Sequence, residues 1–246
     1  MFGAPERLTA CRVSTNPYRR DIDGLRGMAV IAVLFYHLGT PGFGGGFVGV
    51  DMFFVISDYL ITRLIRDEVV ASGTLQFGDF YVRRARRLFP ALFFTLAASA
   101  VVAAALFPPH LLEQFSGSLV SALLSFANVW FWSQSGYFDT SAITKPLLHT
   151  WSLAVEEQFY LVWPALLFVI IRYARSMAAM VIISISAASL LRNIDVAHYA
   201  SRATGFSALL SSWSTDPRST IFYLLPFRAF ELGIARDCAY DLRRAE

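Results

Sequence analysis

The sequence predicts an all-α fold, a polytopic bundle of transmembrane helices with about six to seven hydrophobic segments. Three observations carry that expectation. The chain is 56% hydrophobic and only 16% charged, where a soluble domain carries about a quarter charged residues. Its mean hydropathy is +0.51. The apolar residues also come in long blocks, not in the short alternating segments of a transmembrane β-barrel.

Taken in order, residues 1–18 read as a flexible tail with no apolar core for a cleavable signal, so the first helix is expected to act as an uncleaved insertion signal. The first apolar block covers about 25–38 and ends in a glycine-dense turn over 39–49. The second block, about 47–65, contains Asp51, Ser57 and Asp58. Residues 63–87 read as a polar connector, and a third block, 88–107, is closed by Pro108 and Pro109. A short loop is expected over 110–117, then a fourth segment over 118–132. The fifth block, 147–171, carries His149, Glu156 and Glu157; the sixth covers 177–191, and the seventh 220–235 after a mixed loop. The transmembrane domain is thus expected over 19–236, with an atypical polar end at 237–246.

Arginine placement sets the expected topology. Arg19, Arg20 and Arg26 put the N-terminus in the cytoplasm, and the arginines between 63 and 87 return there two spans later. If segment 118–132 crosses, Arg172 and Arg175 fall outside; if it folds back, they fall inside together with Arg236, Arg243 and Arg244. The arginine count favours the fold-back, which places the loop with His149 outside. Lys145 is the only lysine, so the pI of 9.0 reflects this bias and not a nucleic-acid surface. Cys11 and Cys238 form no CxxC, metal spacing or disulfide framework.

Four groups of residues could carry chemistry. Arg26 and His37 are eleven positions apart, roughly three turns plus 20°, and so leave the first helix from one face about 16 Å apart. Ionisable groups at such places are costly in a bilayer unless they face a cavity, and a neutral imidazole can serve as general base. The RRARR stretch, with Arg83, Arg84, Arg86 and Arg87, suits a polyanion such as a phosphate, or simply anchors the third span at the interface. Asp51 could orient His37, or be a hydrated interfacial charge. His149 and Glu156 are seven apart, two turns, on one face of the fifth helix, with Glu157 rotated about 100°. At least one of these glutamates should face a polar cavity; Arg228 and Glu231 are the expected structural partners in the bland account. Ser57 reads as a serine bonded back to the Phe53 carbonyl, not as a nucleophile. His110 and His198 are expected in loops. No Walker or Rossmann glycine pattern is present, so the glycines of 39–49 are read as a tight turn with close helix packing.

The stretches DIDGLRGMAVIAVLFYHL, GGFVGVDMFFVIS, YVRRARRLFPAL, PLLHTWSLAVEEQFYLVWPALL and FYLLPFRAFELG together resemble the acyltransferase-3 family of bacterial integral membrane O-acyltransferases, over about residues 18–235. The resemblance implies transfer of an acyl group, usually acetyl, from cytoplasmic acyl-CoA to a hydroxyl of a surface polysaccharide such as lipopolysaccharide or peptidoglycan. It implies a multi-pass protein of the bacterial inner membrane with no metal. By that resemblance His37, His149 and Glu156 would be catalytic, with Asp51 added by the triad argument above; Arg26 pairs with His37 as the first-helix signature and is expected, with Arg83/Arg86 or Arg84/Arg87, on the side of the acyl donor. Two departures stand out. The family reads VISGF or VISGY where this chain has Asp58 between Ser57 and Tyr59. An unpaired carboxylate at mid-membrane costs on the order of 3 kcal/mol. The chain also stops near its seventh segment where family members continue, which reads as a truncated frame. Two rival classes remain: a transporter or flippase in which the buried His, Glu and Arg relay protons, and a non-functional truncated remnant.

Overall fold

A computed structural model describes residues 20–135, 145–173, 175–199 and 217–228. The tail at 1–18, the polar end at 237–246, Glu231 and both cysteines lie outside the described residues. Among the described residues all regular elements are helical: α1 (Arg20–His37), α2 (Val48–Ser72), α3 (Phe77–Leu106), α4 (Pro109–Leu123), α5 (Ala127–Ser133), α6 (Thr150–Tyr173), α7 (Ala178–Tyr199), α8 (Pro217–Tyr223) and α9 (Leu225–Arg228), with a 3₁₀ turn at Arg175–Met177. The chain divides into two compact units, Met1–Gly49 and Val50–Glu246.

In the first unit, α1 opens with Asp21 and Asp23 in its first turn, charges that suit its dipole, and closes on His37. Arg26 and His37 therefore share one unbroken helix. The glycine-rich segment packs back onto α1 as expected. A Cβ on Gly49 would lie 2.5 Å from the Ala29 carbonyl oxygen, and one on Gly46 would clash with the Ala32 carbonyl. Ala29 is wholly buried there.

In the second unit, α6 organises the packing. It contributes Phe159, Tyr160, Trp163, Leu167, Ile170 and Ile171 to a core shared with Ile61, Ile65 and Val69 of α2 and Ile182 of α7. Its N-terminal half gives Trp151, Ala154 and Val155 to a second core with Leu92 and Leu96 of α3, Phe115 of α4 and Phe131 of α5. Buried donors lock these contacts: Trp163 Nε1 donates to Thr62 Oγ1 at 2.8 Å, and Trp132 Nε1 to Thr220 Oγ1 at 3.0 Å. Each such bond stabilises by about 1 kcal/mol, and losing one partner costs more because the other stays buried.

Several expected boundaries need correction. Residues 63–72 are not connector but the end of α2, because Ile61, Ile65 and Val69 continue its buried stripe at a four-residue spacing. Their polar neighbours satisfy one another: Arg66 donates to Asp67 at 2.6 Å, and Arg63 lies 3.7 Å from the same carboxylate. The RRARR stretch lies inside α3, whose start is held by the Gln76 N–H donating to Glu68 Oε1 at 2.9 Å. The loop expected at 110–117 is α4: Pro109 sits in its first turn, where a proline fits, and Leu112 and Phe115 supply a buried face. His110 is accordingly helical, and so is the backbone at His198.

Segment 118–132 is broken. The chain turns at Ser125 (φ +58°), and α5 returns along α4 so that the Trp130 indole lies against Gly117 with no room for a Cβ. Among the described residues, α3 and α6 are long and apolar enough to cross a membrane, and Ala178–Ile194 within α7 is a shorter apolar stretch. Helix α3 leaves Phe94, Val101 and Leu106 more than 70% exposed, an outer face suited to lipid tails and not to water.

Candidate active site

The second unit holds two cavities, one on either side of α6. The first, about 190 Å³, is lined by Phe54, Asp58, Glu156, Trp163, Pro226 and Arg228 among others. The second, about 470 Å³, is lined by Tyr81, Arg84, Ser125, Glu157, Gln158 and Tyr160 with apolar neighbours. Consecutive residues on a helix diverge by about 100°, and that divergence sends Glu156 to one cavity and Glu157 to the other. Both glutamates thus answer the expectation of a polar cavity.

In the first cavity Glu156 accepts a hydrogen bond from the Tyr160 hydroxyl, one turn along the same helix. Asp58 is buried beside it at 7% exposure. Arg228, arriving on the short α9, pairs with Asp51 of α2, and its guanidinium lies 5.7, 5.6 and 5.3 Å from the ring centroids of Phe54, Trp151 and Phe222. The aromatic faces favour a cation partly stripped of water, and the carboxylate fixes its orientation. The expectation that Arg228 serves the α6 glutamates is corrected to this extent: its ion pair is with Asp51, while it shares a cavity with Glu156.

The second cavity sorts the arginine cluster. Arg84 is half-buried, its guanidinium 4.7 Å from the Tyr160 ring centroid and 5.9 Å from that of Phe80. Arg83 points elsewhere, exposed and 3.6 Å from Glu68, while Arg86 and Arg87 are exposed. The far wall is the α4–α5 turn. There the Ser125 hydroxyl donates to Glu157, and the Ser125 carbonyl accepts from Gln158 Nε2 at 2.9 Å. Gln158 and Asn128 also bond reciprocally, Nε2 to Oδ1 at 2.9 Å and Nδ2 to Oε1 at 3.3 Å.

Of the two sequence-predicted histidines, His149 is not among the residues lining these cavities, and His37 belongs to the first unit. His149 occupies the turn before α6, whose helical register starts only at Thr150, and its side chain is exposed. The shared-face argument linking it to Glu156 is corrected, because a two-turn helical register does not extend back to it. His37 ends α1 in the first unit, exposed, with the Tyr36 ring edge-on at 5.2 Å. Its Nδ1 donates to the Val33 carbonyl at 2.8 Å; a carbonyl only accepts, so the neutral ring keeps its basic lone pair on Nε2. Arg26 is half-buried in the second turn of the same helix. No group of three or more potential metal ligands occurs among the described residues.

Sequence reasoning missed Tyr160 and Ser125. Tyr160 carried a signal, being four residues beyond Glu156 and so on its face. Ser125 carried none, because its role comes from a turn inside an apparently continuous apolar segment.

The acyltransferase domain family matches residues 19–225, which includes the α1 pair, the whole lining of the second cavity and that of the first except Pro226 and Arg228. The chain belongs to that family. Among relatives of this acyltransferase domain is a peptidoglycan O-acetyltransferase OatA of Listeria monocytogenes, 37% identical over 219 residues, 89% of this chain and 33% of that protein. A putative peptidoglycan O-acetyltransferase YrhL of Bacillus subtilis is 37% identical over 233 residues, 92% of this chain and 34% of that one. An O-acetyltransferase OatA of Staphylococcus aureus is 43% identical over 148 residues, 60% of this chain and 24% of its own. The domain thus spans about a third of the length of the first two relatives. No solved structure matches it.

Proposed function

We propose that this domain is the membrane part of an O-acyltransferase that moves an acetyl group from acyl-CoA to a sugar hydroxyl of a cell-surface glycan, with peptidoglycan the favoured acceptor. The observation that carries the reading is the pair of cavities flanking α6, one with an inward arginine and the other with two carboxylates beside Arg228. Arg84 in a largely apolar cavity suits the phosphate end of a CoA ester, because guanidinium binds phosphate bidentately and the apolar walls suit its chain. The names of the relatives support the acetyl group and the peptidoglycan acceptor. The reading places the protein in the bacterial inner membrane as a multi-pass bundle of six to seven segments, with α3 and α6 its most hydrophobic spans.

The chemistry needs a base and a path for one proton. The acceptor hydroxyl oxygen attacks the thioester carbonyl carbon, the C–S bond breaks, and CoA leaves as a thiolate. His37 Nε2 takes the hydroxyl proton and returns it to the thiolate, while Nδ1–H on Val33 holds the tautomer. Asp51 holds Arg228 in place beside the carboxylates. His37→Ala in a cell that depends on this protein should abolish glycan O-acetylation while the protein remains in the membrane; O-acetylation retained at the wild-type level would contradict the assignment.

A further inference from the structure

Ser125 is the one described non-glycine residue with a left-handed backbone, φ +58°. A Cβ makes that conformation unfavourable, so it persists only where surrounding contacts hold it. The contacts are with α6. Through its hydroxyl Ser125 fixes Glu157 Oε2, and through its carbonyl it fixes Gln158. One carboxylate oxygen is thereby occupied. The other, Oε1, is buried and accepts no hydrogen bond from a described residue. Yet Glu157 lines the 470 Å³ cavity that also holds Arg84. A buried acceptor without a donor is costly, and a ligand that brings an N–H or O–H removes that cost.

We propose that Glu157 is a binding residue of the donor cavity, and that Ser125 positions it. Glu157 Oε1 accepts a hydrogen bond from an amide N–H of an extended, phosphate-bearing chain whose anionic end is drawn to Arg84. Leu88, Phe89 and Leu161 line the cavity beside them and suit the methylenes between such amides. The inference rests on the donor reading given above and deepens it, since it assigns the amide-bearing arm and not only the phosphate.

Two probes separate the parts: coenzyme A, which has the amide arm, and adenosine 3′,5′-bisphosphate, which lacks it. Binding of each to the purified chain in detergent is measured by calorimetry. Glu157→Gln turns an acceptor-only group into one that presents an amide N–H. It should weaken coenzyme A roughly tenfold, the worth of about one hydrogen bond, and leave the nucleotide within about twofold. Ser125→Gly should reproduce most of that loss while the unfolding temperature stays level or rises, because glycine tolerates the turn. Arg84→Ala should weaken both probes. If Arg84→Ala weakens both but Glu157→Gln and Ser125→Gly leave coenzyme A unchanged, the assignment of Glu157 is overturned and the donor cavity stands. If Arg84→Ala also changes neither affinity, the donor reading of this cavity falls as well.

Discussion

Arg228 and Asp51 form an ion pair across 177 positions of sequence, joining the short α9 to the start of α2 beneath a roof of three aromatic rings. The pair places the guanidinium on the wall that also carries Asp58 and Glu156. Its arginine side chain is 12% exposed and its carboxylate 40%. Breaking it leaves a poorly solvated cation against apolar rings. Arg228→Ala and Asp51→Asn should each lower the unfolding temperature in detergent. Their double-mutant cycle should return a coupling of about 1–2 kcal/mol, and purely additive effects would show the pair to be energetically idle.

The arginine cluster offers a sharper contrast. Arg84 enters the larger cavity, whereas Arg83 is exposed beside Glu68. Exposed pairs contribute about 0–1 kcal/mol. Arg84→Ala should raise the KM for acyl-CoA at least about tenfold, the worth of one charge-assisted contact, while Arg83→Ala stays within about threefold. Kinetics with the donor varied at fixed acceptor would reveal the opposite ranking if the sequence register starting at Arg83 were the functional one.

Asp58 stands in the smaller cavity where the family resemblance leads one to expect glycine. Replacing it by glycine removes a buried carboxylate and adds only about 0.3 kcal/mol of helix cost, aspartate being itself a poor helix former, so net stability should change by less than about 2 kcal/mol. The cavity itself grows. Asp58→Gly should therefore raise the rate of acyl transfer several-fold without changing donor KM, measured as initial rates at saturating donor. A fall in rate would instead make Asp58 a working group of this chain.

Close packing at glycines gives a stability test independent of chemistry. Gly117→Ala would drive a methyl into the Trp130 indole, and Gly49→Ala into the Ala29 carbonyl. A ring can shift; backbone cannot. Gly49→Ala should cost about 1–3 kcal/mol, and Gly117→Ala should cost less, both read from thermal unfolding in detergent.

Much of this was legible in the sequence because bilayer-scale apolar blocks and their arginines are one-dimensional signals. The helical class followed from composition, and the close approach of the 39–49 turn to α1 followed from its glycines. Boundaries did not, since α2 and α3 extend into polar stretches whose charges pair locally, Arg63 and Arg66 with Asp67 and Arg83 with Glu68. The site was legible as residue types but not as partners. That Asp51 holds Arg228, or that Ser125 holds Glu157, depends on tertiary contacts between residues 32 or more apart. The histidine at 149 shows the same limit from the other side, because helical spacing was applied to a residue that precedes its helix.

The central claim is that an acyl group changes chemical partner at this domain. The direct measurement follows an isotope-labelled acetyl group from acetyl-CoA, supplied on one side of proteoliposomes with no ion gradient, to soluble peptidoglycan fragments on the other. The account predicts label in O-acetyl esters of the glycan with wild-type protein, none with His37→Ala, and much slower labelling with Arg84→Ala at sub-saturating donor. Label recovered across the bilayer still bound to intact acetyl-CoA, with no ester formed, would contradict it and make the protein a transporter.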